Sequence, residues 1–115
     1  MSEPNTEVLT ADVSTDGTII VVGDIDMAGG PVLETAILSR EAAIAANEGD
    51  KRDVTIDLEL VSFIDSSGLR SLLGAMRRAS ERDGRVVLRS VGPEVARLLE
   101  ITGTVDHFTI ESRRG

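Results

Sequence analysis

Short β-branched runs and stretches of helical periodicity alternate along almost the whole of this chain, and that alternation limits its fold more than any other feature. Leu69, Leu72, Leu73 and Met76 fit the i, i+3, i+4, i+7 template of an amphipathic helix without a gap. Leu33, Ala36, Ile37 and Ile44 recur at helical spacing behind Pro31, a residue welcome in a first helical turn, and Asn47-Glu48-Gly49-Asp50 ends that helix. Gly92-Pro93 opens a third helix that turns Val95, Leu98 and Leu99 inward and stops at Gly103. Between the helices, Val54, Ile56 and Leu58 alternate with Thr55 and Asp57, predicting a strand over 53–58. A second is predicted over 86–91 and a closing one over 108–110. At the start, runs over 8–13 and 18–22 flank Asp16-Gly17, a hairpin turn pair. The order β-β-α-β-α-β-α-β predicts a single α/β domain with a mixed, mostly parallel sheet, an antiparallel edge from the opening hairpin, and helices packed against it. With 115 residues there is room for one domain, expected over 7–110, with a disordered lead-in at 1–6 and a loose tail at 111–115.

Composition bounds what such a domain does. Apolar residues reach 41% while aromatics are 2%, without Trp or Tyr, so the core is built from Val, Ile, Leu and Ala. A chain so poor in rings is a poor candidate for stacking bases of single-stranded nucleic acid. A net charge of −8 repels polyanions, so neither nucleic acid nor an anionic membrane is an expected partner, although acidity also serves plain solubility. The absence of cysteine removes disulfides, thiolate metal sites and thiol nucleophiles. No apolar run approaches the roughly 18–20 residues of a membrane span, and the polar start with Glu3 and Pro4 is unlike a signal peptide. A cytoplasmic protein without a cofactor or bound metal is expected.

In open α/β sheets the functional edge lies beyond the carboxyl ends of the strands. Two loops fall there: Gly23-Asp24-Ile25-Asp26, and Asp65-Ser66-Ser67-Gly68 directly before the second helix. Ser66 or Ser67 is predicted as the N-cap of that helix. On spacing alone, this is a capping serine followed by a glycine that lets the chain turn. The wider string Phe63-Ile64-Asp65-Ser66-Ser67-Gly68-Leu69, however, resembles the signature of the STAS domain, as found in anti-sigma-factor antagonists. Gly23-Asp24-Ile25-Asp26 is similar to that family's Gly-Glu-Leu-Asp segment, with Asp24 in place of the commoner Glu. Residues 92–103 are similar to its carboxy-terminal helix and glycine. The resemblance runs over about residues 7–110 with all elements in order. Gly29-Gly30 departs from many relatives by making the loop after Asp26 more pliable.

The resemblance implies a regulatory binding module and not an enzyme. The serine directly after the aspartate, Ser66, is the implied phosphorylation site, with Ser67 as the rival acceptor. Unphosphorylated protein would bind a kinase-type anti-sigma factor and release a sigma factor; phosphorylation by that serine kinase would break the complex, and a phosphatase would restore binding. Asp24, Asp26, Asp65, Ser66, Ser67, Gly68 and Arg70 are the expected partner surface. A STAS module in another signalling assembly, not controlled by phosphorylation, is the alternative.

Two enzyme-like or receiver-like readings compete. Asp26, Asp57 and Asp65 near the strand ends could hold Mg²⁺, as in a receiver domain phosphorylated on aspartate. No consecutive acidic pair ends the first parallel strand, and no obvious lysine follows the later one. A hydrolase would pair Ser66 with His107, the one histidine, but no nucleophile elbow surrounds Ser66. Arg77 and Arg78 are expected on a solvated face, and Arg70, nearer Ser66, at the interface.

Overall fold

The structure, a computed structural model, describes residues 9–47 and 52–111. The expected lead-in at 1–6, Val8 at the head of the first strand, the helix-ending Glu48-Gly49-Asp50 and all of the expected tail but Glu111, which closes β5, lie outside the described residues. The elements are β1 (Thr10–Val13), β2 (Ile19–Val22), α1 (Gly30–Asn47), β3 (Val54–Leu60), α2 (Ser66–Glu81), β4 (Val86–Arg89), α3 (Pro93–Thr102), a short 3₁₀ turn (Val105–His107) and β5 (Thr109–Glu111). The expected order is observed.

The five strands lie in the sheet in chain order, β1-β2-β3-β4-β5. The β1–β2 hairpin is antiparallel and every later pair is parallel. Parallel neighbours need a crossover, and crossovers are right-handed. When each crossover steps one strand in the same direction, the helices are delivered to the same face. Accordingly the inward residues of β2 (Ile19, Val21), β3 (Val54, Ile56, Leu58) and β4 (Val86, Leu88) join residues of all three helices in one aliphatic core. The opposite face carries Ile20 and Val22, both exposed, with Asp57 and Arg89 alongside.

Several boundaries differ from expectation. The first strands begin at Thr10 and Ile19, so Thr18 belongs to the turn, where its amide bonds Asp16 Oδ1 at 3.0 Å. β3 runs to Leu60, past the expected end at 58, because the strand irregularity opposite Ile20 and Val22 lets Leu60 pair with Val22. β4 stops at Arg89 because Ser90 takes a left-handed φ of 59°. β5 starts one residue late, Phe108 being the buried residue that closes the 3₁₀ turn.

Candidate functional site

β2 and β3 both run out at the same edge of the sheet, and the loops that follow them remain joined. Gly23 donates its amide to the Leu60 carbonyl (3.2 Å), Ile25 to Phe63 (2.9 Å), and Asp65 back to Ile25 (3.0 Å). Ile25 and Ile64 form a further parallel bridge beyond the strands, and Ile25 is fully buried. Ser62 adds a hydroxyl bond to Asp24 Oδ1 at 3.3 Å. The two expected loops are thus a stitched continuation of the sheet, which fixes where α2 begins.

The N-cap of α2 is Asp65, and neither Ser66 nor Ser67 as expected. Asp65 has extended backbone, and its Oδ1 accepts the amides of Ser67 (2.9 Å) and Gly68 (3.1 Å). A carboxylate satisfies these orphan donors and also places negative charge on the positive end of the helix dipole, so it displaces the serines from the cap. Asp26 repeats the arrangement ahead of α1, with Oδ1 accepting the amides of Ala28 (3.0 Å) and Gly29 (2.9 Å).

Ser66 is therefore the first residue inside α2. It is exposed, and its hydroxyl makes no hydrogen bond among the described residues. Ser67 is half-buried and faces Gly30 at the start of α1, its Cβ 3.9 Å from where a side chain on Gly30 would begin. Gly68 is buried beneath the site. A Cβ there would come within 2.3 Å of Ile25 Cγ2 and 2.8 Å of Ile64 Cγ1, so glycine is what lets α2 seat on the bridge. Asp24, Asp26, Asp65, Ser66 and Ser67 are brought together on this edge. Arg70 lies one turn along α2, exposed and without an ion pair or hydrogen bond among the described residues.

Sequence reasoning missed the apolar surroundings. Met27 (76% exposed), Phe63 (47%) and Ile101 (72%) present large side chains to solvent. Phe63, Ile64, Leu98 and Ile101, with Glu94 and Arg97, line a cavity of about 200 Å³ between the loop before Ser66 and α3. The signal was available for Ile101, which falls off the buried Val95–Leu99 face of α3 and shares the Leu98 side instead.

The rival arrangements do not assemble. Asp57 stands on the open face of the sheet level with Arg89, and its Oδ1 accepts the Glu59 amide at 2.9 Å. Among the described residues no three acidic or histidine side chains gather as a metal site. His107 precedes β5, which runs parallel to β4, so it lies at the amino edge of the sheet while Ser66 lies beyond the carboxyl edge. Arg78 is not on a purely solvated face: its Nε bonds both carboxylate oxygens of Glu41 in α1, at 2.9 and 3.1 Å. A further cavity, about 620 Å³, runs from the amino edge over the open face of the sheet. Arg40, Arg52, Arg85 and Arg89 line it, matched by Asp16, Asp53, Asp83 and Glu111, so it offers no net charge to a ligand.

Comparison with known proteins gives a consistent picture. The STAS domain profile matches residues 12–115. The anti-sigma-B factor antagonist of Staphylococcus aureus is 31% identical over 86 residues, covering 75% of this chain and 74% of that protein. A crystal structure of an anti-sigma factor antagonist from Mycobacterium paratuberculosis matches with a TM-score of 0.66 at 28% identity, over 96% of this chain and 90% of the other. The Bacillus protein SpoIIAA, an anti-sigma factor antagonist, matches in its unphosphorylated form (TM-score 0.67, 93% and 89% of the two chains) and in its phosphorylated form (0.63, 93% and 92%). At 21% identity these last two likenesses speak to the fold.

Proposed function

The chain belongs to the STAS domain family, and from that membership we propose that it is an anti-sigma-factor antagonist switched by phosphorylation of Ser66. Unmodified, it binds a kinase-type anti-sigma factor through the edge formed by Asp24, Asp26, Asp65, Ser66, Ser67 and Arg70, and the sigma factor is released. The kinase then transfers the γ-phosphoryl group of ATP to Ser66 Oγ; the hydroxyl proton passes to a base on the kinase and ADP leaves. A separate phosphatase hydrolyses the phosphoserine and restores binding.

The observation that carries this reading is the state of Ser66: an exposed hydroxyl, free of hydrogen bonds among the described residues, at the start of a helix whose cap is already made by Asp65. It is more accessible than Ser67, and modifying it removes no bond from the fold. A phosphate adds about −1.5 to −2 charge beside Asp65. Unit charges about 4 Å apart interact by up to about 4 kcal/mol at an effective dielectric near 20. A loss of that size in the complex is more than a hundredfold in affinity, at about 1.4 kcal/mol per tenfold.

The test is binding to the candidate anti-sigma kinase. Ser66→Ala is expected to bind as the parent does and to take up no phosphate from ATP, while Ser66→Asp binds at least tenfold more weakly. Equal binding of the two variants would remove the charge switch and leave a STAS module governed in another way.

A further inference from the structure

We infer that Arg70 is the built-in counter-ion of a phosphate on Ser66, so that modification both adds an anion to the edge and engages a free cation one turn along α2. The inference rests on the reading of Ser66 as the phosphorylated residue and deepens it. Three observations support it.

The first is position. Ser66 and Arg70 are four residues apart within α2, and i, i+4 pairs on a helix lie about 5–6 Å apart at Cβ. Long helical side chains lean toward the N-terminus and cover the turn before their own. That direction puts a phosphate on Ser66, which extends beyond the serine hydroxyl, within the reach of the Arg70 side chain.

The second is availability. Arg70 is exposed and has no ion pair or hydrogen bond among the described residues. Of the other arginines, Arg78 in α2 and Arg82 at its C-cap are both held by Glu41 of α1, and Arg77 lies seven residues beyond Arg70 along the helix.

The third is competition for donors. An unmodified helix start offers its free amides to a phosphate. Here Asp65 Oδ1 already accepts the amides of Ser67 and Gly68, and Leu69 donates to the Asp65 carbonyl at 3.0 Å. Of the amides over 66–69 only that of Ser66 itself is without a partner among the described residues, so the phosphate finds its remaining compensation on the outer face. Arginine suits that role because its planar fork pairs two phosphate oxygens at once.

The charged groups around the phosphate are Asp65 on the same loop, Asp24 and Asp26 on the β2–α1 loop, and Glu94 and Arg97 on α3 across the Phe63 cavity. The acidic ones raise the second pKa of the phosphate and the cations lower it.

The decisive experiment places phosphoserine at position 66 during synthesis, with no kinase involved, and follows the phosphorus resonance from pH 4.5 to 8. Removal of Arg70 in R70A is expected to raise the second pKa by about half a unit, roughly threefold in proton affinity. R70K should restore most of the difference, and R97A, farther off on α3, should shift the value by much less than R70A does. Identical titration of R70A and the parent would overturn the inference, as would a shift in R97A equal to that in R70A. Failure of a kinase to modify Ser66 would count against the switch and leave this result untouched.

Discussion

Asp65 caps α2, whereas the hydroxyl of Ser66 bonds to nothing among the described residues, and substitution separates the two. Asp65→Ala removes two hydrogen bonds and the favourable charge at the helix start, and is expected to cost about 0.5–2 kcal/mol of stability. Ser66→Ala removes an exposed group that bonds to nothing among the described residues, and should stay within about 0.5 kcal/mol. Urea unfolding midpoints of the two variants check both, and a large loss in Ser66→Ala would contradict the placement of the cap. Gly68→Ala tests the layer beneath: its methyl meets Ile25 and Ile64 inside contact distance, so about 1–3 kcal/mol of overpacking is expected. Asp16, in the hairpin turn, is a titrating counterpart to these. The Ser14 hydroxyl and the Thr18 amide hold its carboxyl down from the ordinary 3.8 to about 2. Because the folded value is the lower one, its stabilisation is complete above about pH 4 and disappears as pH falls through about 2. Unfolding midpoints of Asp16→Asn and the parent should differ most at pH 5 and converge near pH 2.

At the scale of elements, α1 and α2 are joined by a cluster of charges as well as by the core. Glu41, itself mostly covered, accepts from Arg78 and lies 3.7 Å from Arg82, while Arg78 also approaches Glu34 at 3.9 Å. Arg78 is about a third exposed, so water screens the pair, and Glu41→Gln is expected to cost under about 1 kcal/mol. A double-mutant cycle with Arg78→Met, repeated in high salt, measures that coupling and should show it shrink. Periodicity made the elements legible because large aliphatic side chains mark the inward face: Leu33, Ile37, Leu72, Val95 and Leu99 are all buried. It missed Ala75 and Ala79, which are fully buried in α2 and whose smallness lets the helix approach the sheet, because alanine carries little weight in an apolar pattern. Leu73 and Met76, expected in the core, are only partly covered. The ends of elements were legible only where a residue enforces them. Gly103, at φ 71°, stops α3 as expected. At Asp83-Gly84 the left-handed residue is Asp83, and Gly84 is needed for another reason: a Cβ there would meet the Arg52 carbonyl at 2.1 Å. The cap of α2 lies one or two positions before the expected serine because Asp, Ser and Ser in sequence are all good caps. Only the Ile25–Ile64 bridge, a contact between distant segments, decides which of them precedes the first turn.

The whole molecule divides its two ends between different tasks. The carboxyl edge holds the stitched loops, Ser66 and the exposed apolar residues Met27, Phe63 and Ile101. The amino edge and the open face beside it hold matched charges around Arg40, Arg52, Arg85 and Arg89. Between them stands one aliphatic core, fed by inward residues of the strands and all three helices, to which the side chain of Ser66 contributes nothing. A modification at Ser66 therefore acts on the surface. A phosphate near a helix start gains roughly 0.3–1 kcal/mol from the dipole, and the neighbouring carboxylates offset part of that. About 1 kcal/mol corresponds to roughly 4–8 °C in the melting temperature of a domain of 60–100 residues. Phosphorylated and unmodified protein should therefore melt within about 5 °C of each other, while under the proposed switch their affinities for an anti-sigma partner differ by a hundredfold or more. The two quantities also respond differently to salt, since screening over about 10 Å at 0.1 M weakens surface repulsion and leaves apolar burial intact. Calorimetry of both forms, paired with binding measured at 50 and 500 mM salt, tests the division. A melting temperature that falls by more than 10 °C on phosphorylation would move the switch from the interface into the fold, and the separation of tasks between the two edges would then be wrong.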